Sequence, residues 1–469
     1  MKNRIHDLKY FYILWSTQGL SYLGSAMTNF ALTLWLYQST GSALKTALLY
    51  ICSYVPYILM SIFAGMLSDK WDKKKTILVC DTIAACCTVS VFVLLKTGLL
   101  SAWHLYLLNA LNGLMNTVQE PAGDVAVTLL APKKHYQKTS ALRTFSRSLI
   151  TILHPMLATS LYAIGGIDTV IVLDLSTFAV AFIALLLFVR IPPVKASASE
   201  ENETLFASAK AGLKYLNQNR MVLGLILFLA GVNLVASAFD AALPAFILPR
   251  QNGGERVLGI VTSSAGIAML AGSLTATILP PPKDRIRLIV ITMIIALTAD
   301  NFLMPLTRTP ITWCIAQILG YFPVPLMNTS LDVIVRSSIP TQMQGRVYSC
   351  RNTLQFFTIP IGYFFGGCMA DAVCEPLMGR ISPESVLSAA FGVGKGSGAG
   401  ILIFLLGLLG LAICLIFGKI LKKYTYRDSI LYSLRRTDKT RFPVTDRRVG
   451  DREPFRYKLK VMHILISIK

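Results

Sequence analysis

Runs of about twenty apolar residues, broken by short polar segments, recur along the whole 469-residue chain. A bilayer core needs about that length for one helix, and backbone polar groups in lipid must be satisfied within the segment. Reading between charges gives twelve runs: 11–37, 44–67, 76–95, 103–130, 148–165, 169–189, 221–248, 257–279, 288–306, 311–335, 352–370 and 398–418. Composition agrees, with 54% apolar and 15% charged residues, where soluble domains carry about 25% charged. A water-soluble enzyme is excluded, and so is a disordered chain. The expected fold is an all-α polytopic membrane protein. The polar start Met1–Lys9 leads into a run too long for a cleavable signal.

Charge gives the direction. With the N-terminus inside, 38 of the 45 Lys and Arg fall in inner segments and 7 in outer loops, as the positive-inside rule requires. Both termini are therefore expected to be cytoplasmic. The net charge of +21 lies on one membrane face, so anionic lipid headgroups are the expected partner there and nucleic acid is not.

The nine cysteines sit in or near apolar runs without any C-x-x-C pair. They read as small membrane-core hydrophobes, and no metal or cofactor is expected. Gly392–Gly398 mimics a phosphate cradle, but Gly396 follows Lys395 where Walker A needs Ser or Thr; it reads as a flexible connection. No catalytic constellation emerges.

The long inner segment 191–220 separates six runs from six. From Thr204 onward Leu205, Ala209, Leu213 and Leu216 recur at helical spacing opposite Lys210 and Lys214, predicting an amphipathic helix on the inner membrane surface. The division expected is a bundle at 1–190, this linker, a second bundle at 221–418 and a basic tail at 419–469. An offset of 208 aligns Asp124, Val125, Val127, Pro132 and Arg143 with Asp332, Val333, Val335, Pro340 and Arg351. Internal duplication of that kind is typical of secondary transporters.

After the second run the chain reads Gly65-Met-Leu-Ser-Asp69-Lys70-Trp-Asp72-Lys73-Lys74-Lys75. This resembles the signature loop of the major facilitator superfamily, with Asp72 standing where a glycine is usual. Leu14-Trp15-Ser-Thr-Gln18 through Gly24-Ser25, Gln344-Gly-Arg-Val-Tyr-Ser349, Ile359-Pro-Ile-Gly362, Gly366-Gly367 and Ala370-Asp371 are similar to the macrolide-efflux-type branch of its drug:proton antiporters. The resemblance implies two pseudo-symmetric six-helix bundles rocking about a central site, with Gly65, Asp69, Lys70, Lys73 and Lys74 as the conformational-switch loop. It also implies a multi-pass bacterial plasma-membrane exporter, acting as a monomer, that trades a small amphiphilic substrate for protons.

In that family the first, fourth, seventh and tenth spans line the cavity. Polar residues recur at about 100° steps on each: Gln18, Ser21, Ser25 and Asn29; Asn112 and Asn116; Asn233 and Ser237; Gln317, Tyr321 and Asn328. Acids inside spans are costly and mark ion pathways. Glu120, beside Pro121 and nearest mid-membrane, is the first candidate for proton coupling, Asp240 the second and Asp124 the third. Asp124 and Asp332 have an alternative role, pairing with Arg143 and Arg351, while Asp81 and Asp300 near span ends read as structural. Two other functions stay open: export or flipping of a native metabolite or lipid, and a non-transporting membrane sensor on the same fold.

Overall fold

The computed structural model describes residues 3–131, 135–192, 205–339 and 344–441; between 8 and 424 it omits the side chains of 61–70, 136–138, 140–141, 205–209, 336, 344–346 and 348–349. The acidic part of the linker and the end of the tail fall outside the described residues. Every regular element among the described residues is helical. The first half runs α1 (Asn3–Thr40), α2 (Ala43–Lys70), α3 (Lys73–Lys96), α4 (Ala102–Leu130) and α5 (Tyr136–Phe188). After α6 (Leu205–Gln218) come α7 (Arg220–Ile247), α8 (Glu255–Ile278), α9 (Arg285–Leu306), α10 (Pro310–Tyr321) and α11 (Val324–Ser338). Then follow α12 (Gln344–Phe356), α13 (Thr358–Cys368), a π-helical turn at Met369–Cys374, α14 (Glu375–Arg380), α15 (Val386–Phe391) and α16 (Ser397–Arg441).

Nine stretches among the described residues are long and apolar enough to cross a bilayer. One of them, Leu142–Phe188, is broken at Gly165 and Gly166. Gly166 adopts φ 68°, which a side chain would resist, so the chain turns between the two expected runs 148–165 and 169–189. Neither α1 nor α4 is among the nine, although they are 38 and 29 residues long. Their stripes of Gln, Ser and Asn dilute the apolar average.

Residues up to 422 make one compact unit, and those from 423 a second. In the first, α1 lies along α5, α2 along α4, and α3 against both α4 and α5. In the later part α7 packs on α13, α8 on α10, and α9 on α10 and α11. Met27, Leu36, Val170 and Ile171 are at the core of the earlier group, and Phe228, Phe246 and Trp313 at that of the later one. The broadest contacts joining the groups are α2 against α13 and α5 against α8; α2 also touches α7 and α12, and α1 touches α7.

The Gly362 and Gly366 pair gives α13 one face without side chains. A Cβ on Gly366 would lie 2.4 Å from the carbonyl oxygen of Ala238, and one on Gly362 would lie 2.4 Å from that of Leu234. Four-residue spacing puts both on one helix face, allowing the α7 and α13 backbones to touch. The amphipathic helix α6 also packs inward: Leu216 is buried, and the Tyr215 hydroxyl donates to Ser338 O at 2.5 Å. Leu213 stays exposed on its other side.

Local capping completes the elements around the connection between α2 and α3. Asp72 caps α3, its carboxylate accepting from Lys75 N at 2.9 Å, which accounts for an acid at that position. Lys74 donates to Leu186 O and Val189 O at 3.0 and 2.8 Å, placing a cation at the negative end of α5. Lys73 donates to Trp71 O. The side chains of Asp69 and Lys70 lie outside the described residues.

Candidate functional site

Four cavities with shared walls lie along the first helix group, and the second and fourth of them are lined from the later group as well. The first, of about 470 Å³, is lined by Trp15, Gln18, Tyr22, Glu120, Arg143 and Arg147 among others. A second of about 480 Å³ shares Arg147 and Thr151 with it and adds Asn328 and Asp332 from α11. A third, about 300 Å³, reaches inward past Ser21, Ser25, Asn29, Asn112 and Asn116. The fourth, about 430 Å³, lies under Tyr50, Tyr54, Tyr57 and Phe356. Glu120 lines the first, third and fourth. Its only hydrogen bond among the described residues comes from the Tyr57 hydroxyl, at 3.3 Å.

The stripes on α1 and α4 converge on this space, but several of their polar groups are already engaged. Gln18 Nε2 donates to Asp81 at 3.0 Å and Gln119 Nε2 to its other oxygen at 2.6 Å. Ser25 donates to the buried Asp174 at 3.1 Å. Asp81, 7% exposed, thus ties α3 to α1 and to the residue preceding Glu120, which fixes the direction in which Glu120 leaves α4.

The later helices behave differently. Asn233 Nδ2 donates to Gln355 O at 3.0 Å, and Ser237 to Asn233 O at 2.7 Å with Gly362 packed against it; both serve helix contact. Gln317 is 1% exposed, with its Nε2 unpartnered among the described residues. Asn328 faces the second cavity. Asp240, half-buried, lies beside Tyr321 and Tyr363. Asp124 instead is paired with Arg143, and Asp332 with Arg351 at 3.9 Å, both acids 56% exposed. That is the ion-pairing alternative, repeated at equivalent places in the two groups.

Sequence reasoning singled out Tyr321 but not Tyr363 or the tyrosines of α2. Tyr50, Tyr54 and Tyr57 recur at helical spacing on α2, a readable signal. Tyr363 stacks on Tyr50 at 4.8 Å and 6° and lies 6.2 Å from Tyr54. No sequence signal predicts that meeting of α2 with α13. The set spans the distance between Glu120 on α4 and Asp240 on α7.

The glycine-rich loop 392–398 is filled by the chain itself. Glu375 Oε1 accepts from Gly396 N at 2.8 Å and Ala399 N at 3.3 Å, at the start of α16. Arg250 donates to Gly396 O and Phe391 O and stands 4.1 Å from the Phe246 ring. Burial and the nearby Arg308 bring its guanidinium down to about 10. The amides that a phosphate would use already hold a carboxylate.

A polar, acid-bearing cleft inside a bundle of bilayer-length helices defines a membrane transporter. The profile of the Major Facilitator Superfamily matches residues 14–363, and the chain belongs to that family. It is 24% identical over 366 residues to macrolide efflux protein A of Streptococcus pyogenes, covering 77% of this chain and 90% of that protein. The multidrug efflux pump Tap of Mycolicibacterium fortuitum is 23% identical over 362 residues, covering 74% and 86%. These relatives agree with the macrolide-efflux-type motifs. Among solved structures, a bacterial homologue of the lysosomal transporter Spinster, inward-facing and occupied, superposes with TM-score 0.67 at 15% identity over 89% of this chain and 97% of that one. An inward-facing bacterial ferroportin homologue gives 0.65 at 15% identity, over 89% and 98%.

Proposed function

We propose that this protein is a secondary active exporter of amphiphilic small molecules, macrolide-like drugs among them, driven by proton antiport. In this reading residues 1–190 and 221–418 are two six-helix bundles, the chain crosses the membrane twelve times, and both termini are cytoplasmic. The segment 191–220 links the bundles, 419–469 is a basic tail at the lipid surface, and one copy suffices.

The observation that carries the reading is the position of Glu120, the one acid lining three connected cavities. A carboxylate in an apolar-walled cleft attracts an amphiphilic cation and, on taking up a proton, loses that attraction. Cargo and proton then compete for one charge, which couples their movements if the bundles rock only when the site is neutralised. The Asp124–Arg143 and Asp332–Arg351 pairs flank the cleft as removable contacts between helices. Two efflux proteins among the relatives support export over sensing.

The test is accumulation of radiolabelled erythromycin in cells with and without the protein, repeated with a protonophore. Lower accumulation that disappears with the gradient supports the proposal. Glu120→Gln should abolish it while the protein still inserts; unimpaired efflux by that variant ends the role of Glu120.

A further inference from the structure

The first cavity carries both signs of charge on its walls. Glu120 of α4 and Arg143 and Arg147 of α5 line it, with Trp15, Val127 and Ile150 among its apolar walls. Arg143 is taken up by Asp124. Arg147 is not taken up: its guanidinium has no hydrogen-bond or ion-pair partner among the described residues, which leaves its N–H donors for a ligand. Glu120 and Arg147 are both exposed.

Register sets these two charges at one level. α4 ends at Leu130 and α5 begins at Tyr136, so stepping back along α4 and forward along α5 both lead away from their connection. The Asp124–Arg143 pair marks one level. Four residues further on each helix, a rise of about 6 Å, stand Glu120 and Arg147. They face one cavity without pairing with each other, and Glu120 takes its hydrogen bond from Tyr57. Arg147 also lines the second cavity, whose acid, Asp332, is already paired with Arg351. Topology asks for cations at an inner helix end on any face, so it does not account for Arg147 lining a cleft that holds an acid.

We propose that this cleft selects zwitterionic amphiphiles, with the cargo's ammonium on Glu120 and its carboxylate or phosphate on Arg147. A guanidinium grips either anion through two parallel N–H bonds. A purely cationic cargo leaves Arg147 unpaired and repelled by it, and a purely anionic one does the same to Glu120. The fixed pair of charges therefore discriminates against both. The site deepens the export reading above and rests on Glu120 as the partner of the cargo's cation there.

The experiment is equilibrium binding to full-length protein in dodecyl maltoside at neutral pH, without a gradient. The probes are ciprofloxacin, which bears an ammonium and a carboxylate, its ethyl ester, which lacks the anion, and its N-acetyl derivative, which lacks the cation. The wild type should bind the zwitterion about tenfold or more tighter than either analogue, the worth of one charge-assisted contact. Arg147→Gln should bring the zwitterion down to the ester's affinity while binding the ester no worse than the wild type does. Arg147→Lys, which keeps the charge, should recover most of the preference. A second series titrates lysophosphatidylethanolamine, with monoacylglycerol of the same chain as its uncharged control. Arg147-dependent binding of the lysolipid supports a phosphate-bearing lipid cargo; the same dependence for ciprofloxacin alone supports a free carboxylate. A wild type that prefers neither zwitterion, or a preference that survives Arg147→Gln, overturns the proposal. So does an equal loss of ester binding in that variant, which marks a structural role. Failure here leaves gradient-driven export of cations by Glu120 standing. Export insensitive to a protonophore, with the Arg147-dependent preference intact, would end the antiport reading and not this site.

Discussion

The carboxylate of Asp371 accepts the backbone amide of Ala43, the first residue of α2, at 2.9 Å. Its other oxygen takes Leu44 N at 2.9 Å and Ser42 Oγ at 2.5 Å. One side chain from the π-helical turn after α13 thus caps a helix of the other group, at the positive end of its dipole. Gly367 lies directly on Leu44 beneath it, and Gln38 is bonded to Glu255 and to Tyr162 at the same end. None of these residues lines any of the four cavities, and here the two groups meet by direct contact.

If the groups part here during transport, all three bonds to Asp371 break. Asp371→Asn should favour the parted state by about 1.5–3 kcal/mol, the worth of charge-assisted bonds, or roughly tenfold or more in equilibrium. Thr46→Cys, buried just inside this contact, should then react at least several-fold faster with a membrane-impermeant thiol reagent added outside. Unchanged labelling would mean that Asp371 caps the helix without holding the end shut.

Asp124 and Glu120 stand one turn apart on α4, yet their surroundings set different outcomes. The Asp124–Arg143 pair is partly exposed, and such pairs contribute about 0–1 kcal/mol. Asp124→Asn should keep drug accumulation within about twofold of wild type, whereas Glu120→Gln should raise it to the level of cells without the protein. Equal loss in both variants would show that the ion pair, not the cleft acid, controls transport.

Glu375 and Arg250 hold the two peptide units that flank the Gly396 Cα, at Gly396 N and Gly396 O. Glu375→Gln should destabilise the detergent-solubilised protein by about 1–3 kcal/mol, seen as a fall in Tm. Arg250→Ala should act similarly, and the double variant should cost less than the two together. ATP should leave the Tm of every variant unmoved; a rise with ATP would reopen nucleotide binding at the loop.

Gly366→Ala places a methyl 2.4 Å from Ala238 O, and neither backbone can yield cheaply. Overpacking of this kind costs about 1–3 kcal/mol, so a lower Tm and lower yield are expected in size-exclusion chromatography. Gly123→Ala, where a Cβ meets nothing within 4 Å, is the control and should behave as wild type.

Much of this was legible in the sequence because lipid is so restrictive a solvent. Apolar length and the one-sided placement of Lys and Arg depend on single segments and need no partner, so the helices and the Gly165–Gly166 break can be read directly. The polar stripes of α1 and α4 were readable for the same reason, since period 3.6 is local. What each polar group does was not, because partners come from other helices. Gln18 spends its amide on Asp81, and Asp124 spends its charge on Arg143. Asp240 looked like a lone acid until α10 and α13 brought Tyr321 and Tyr363 to it, and Asp300 looked like a span-end residue until Gly320 enclosed it. Hydrophobicity alone decides which segments enter the membrane; which side chains then meet depends on close packing among helices, and that information is spread over residues hundreds of positions apart.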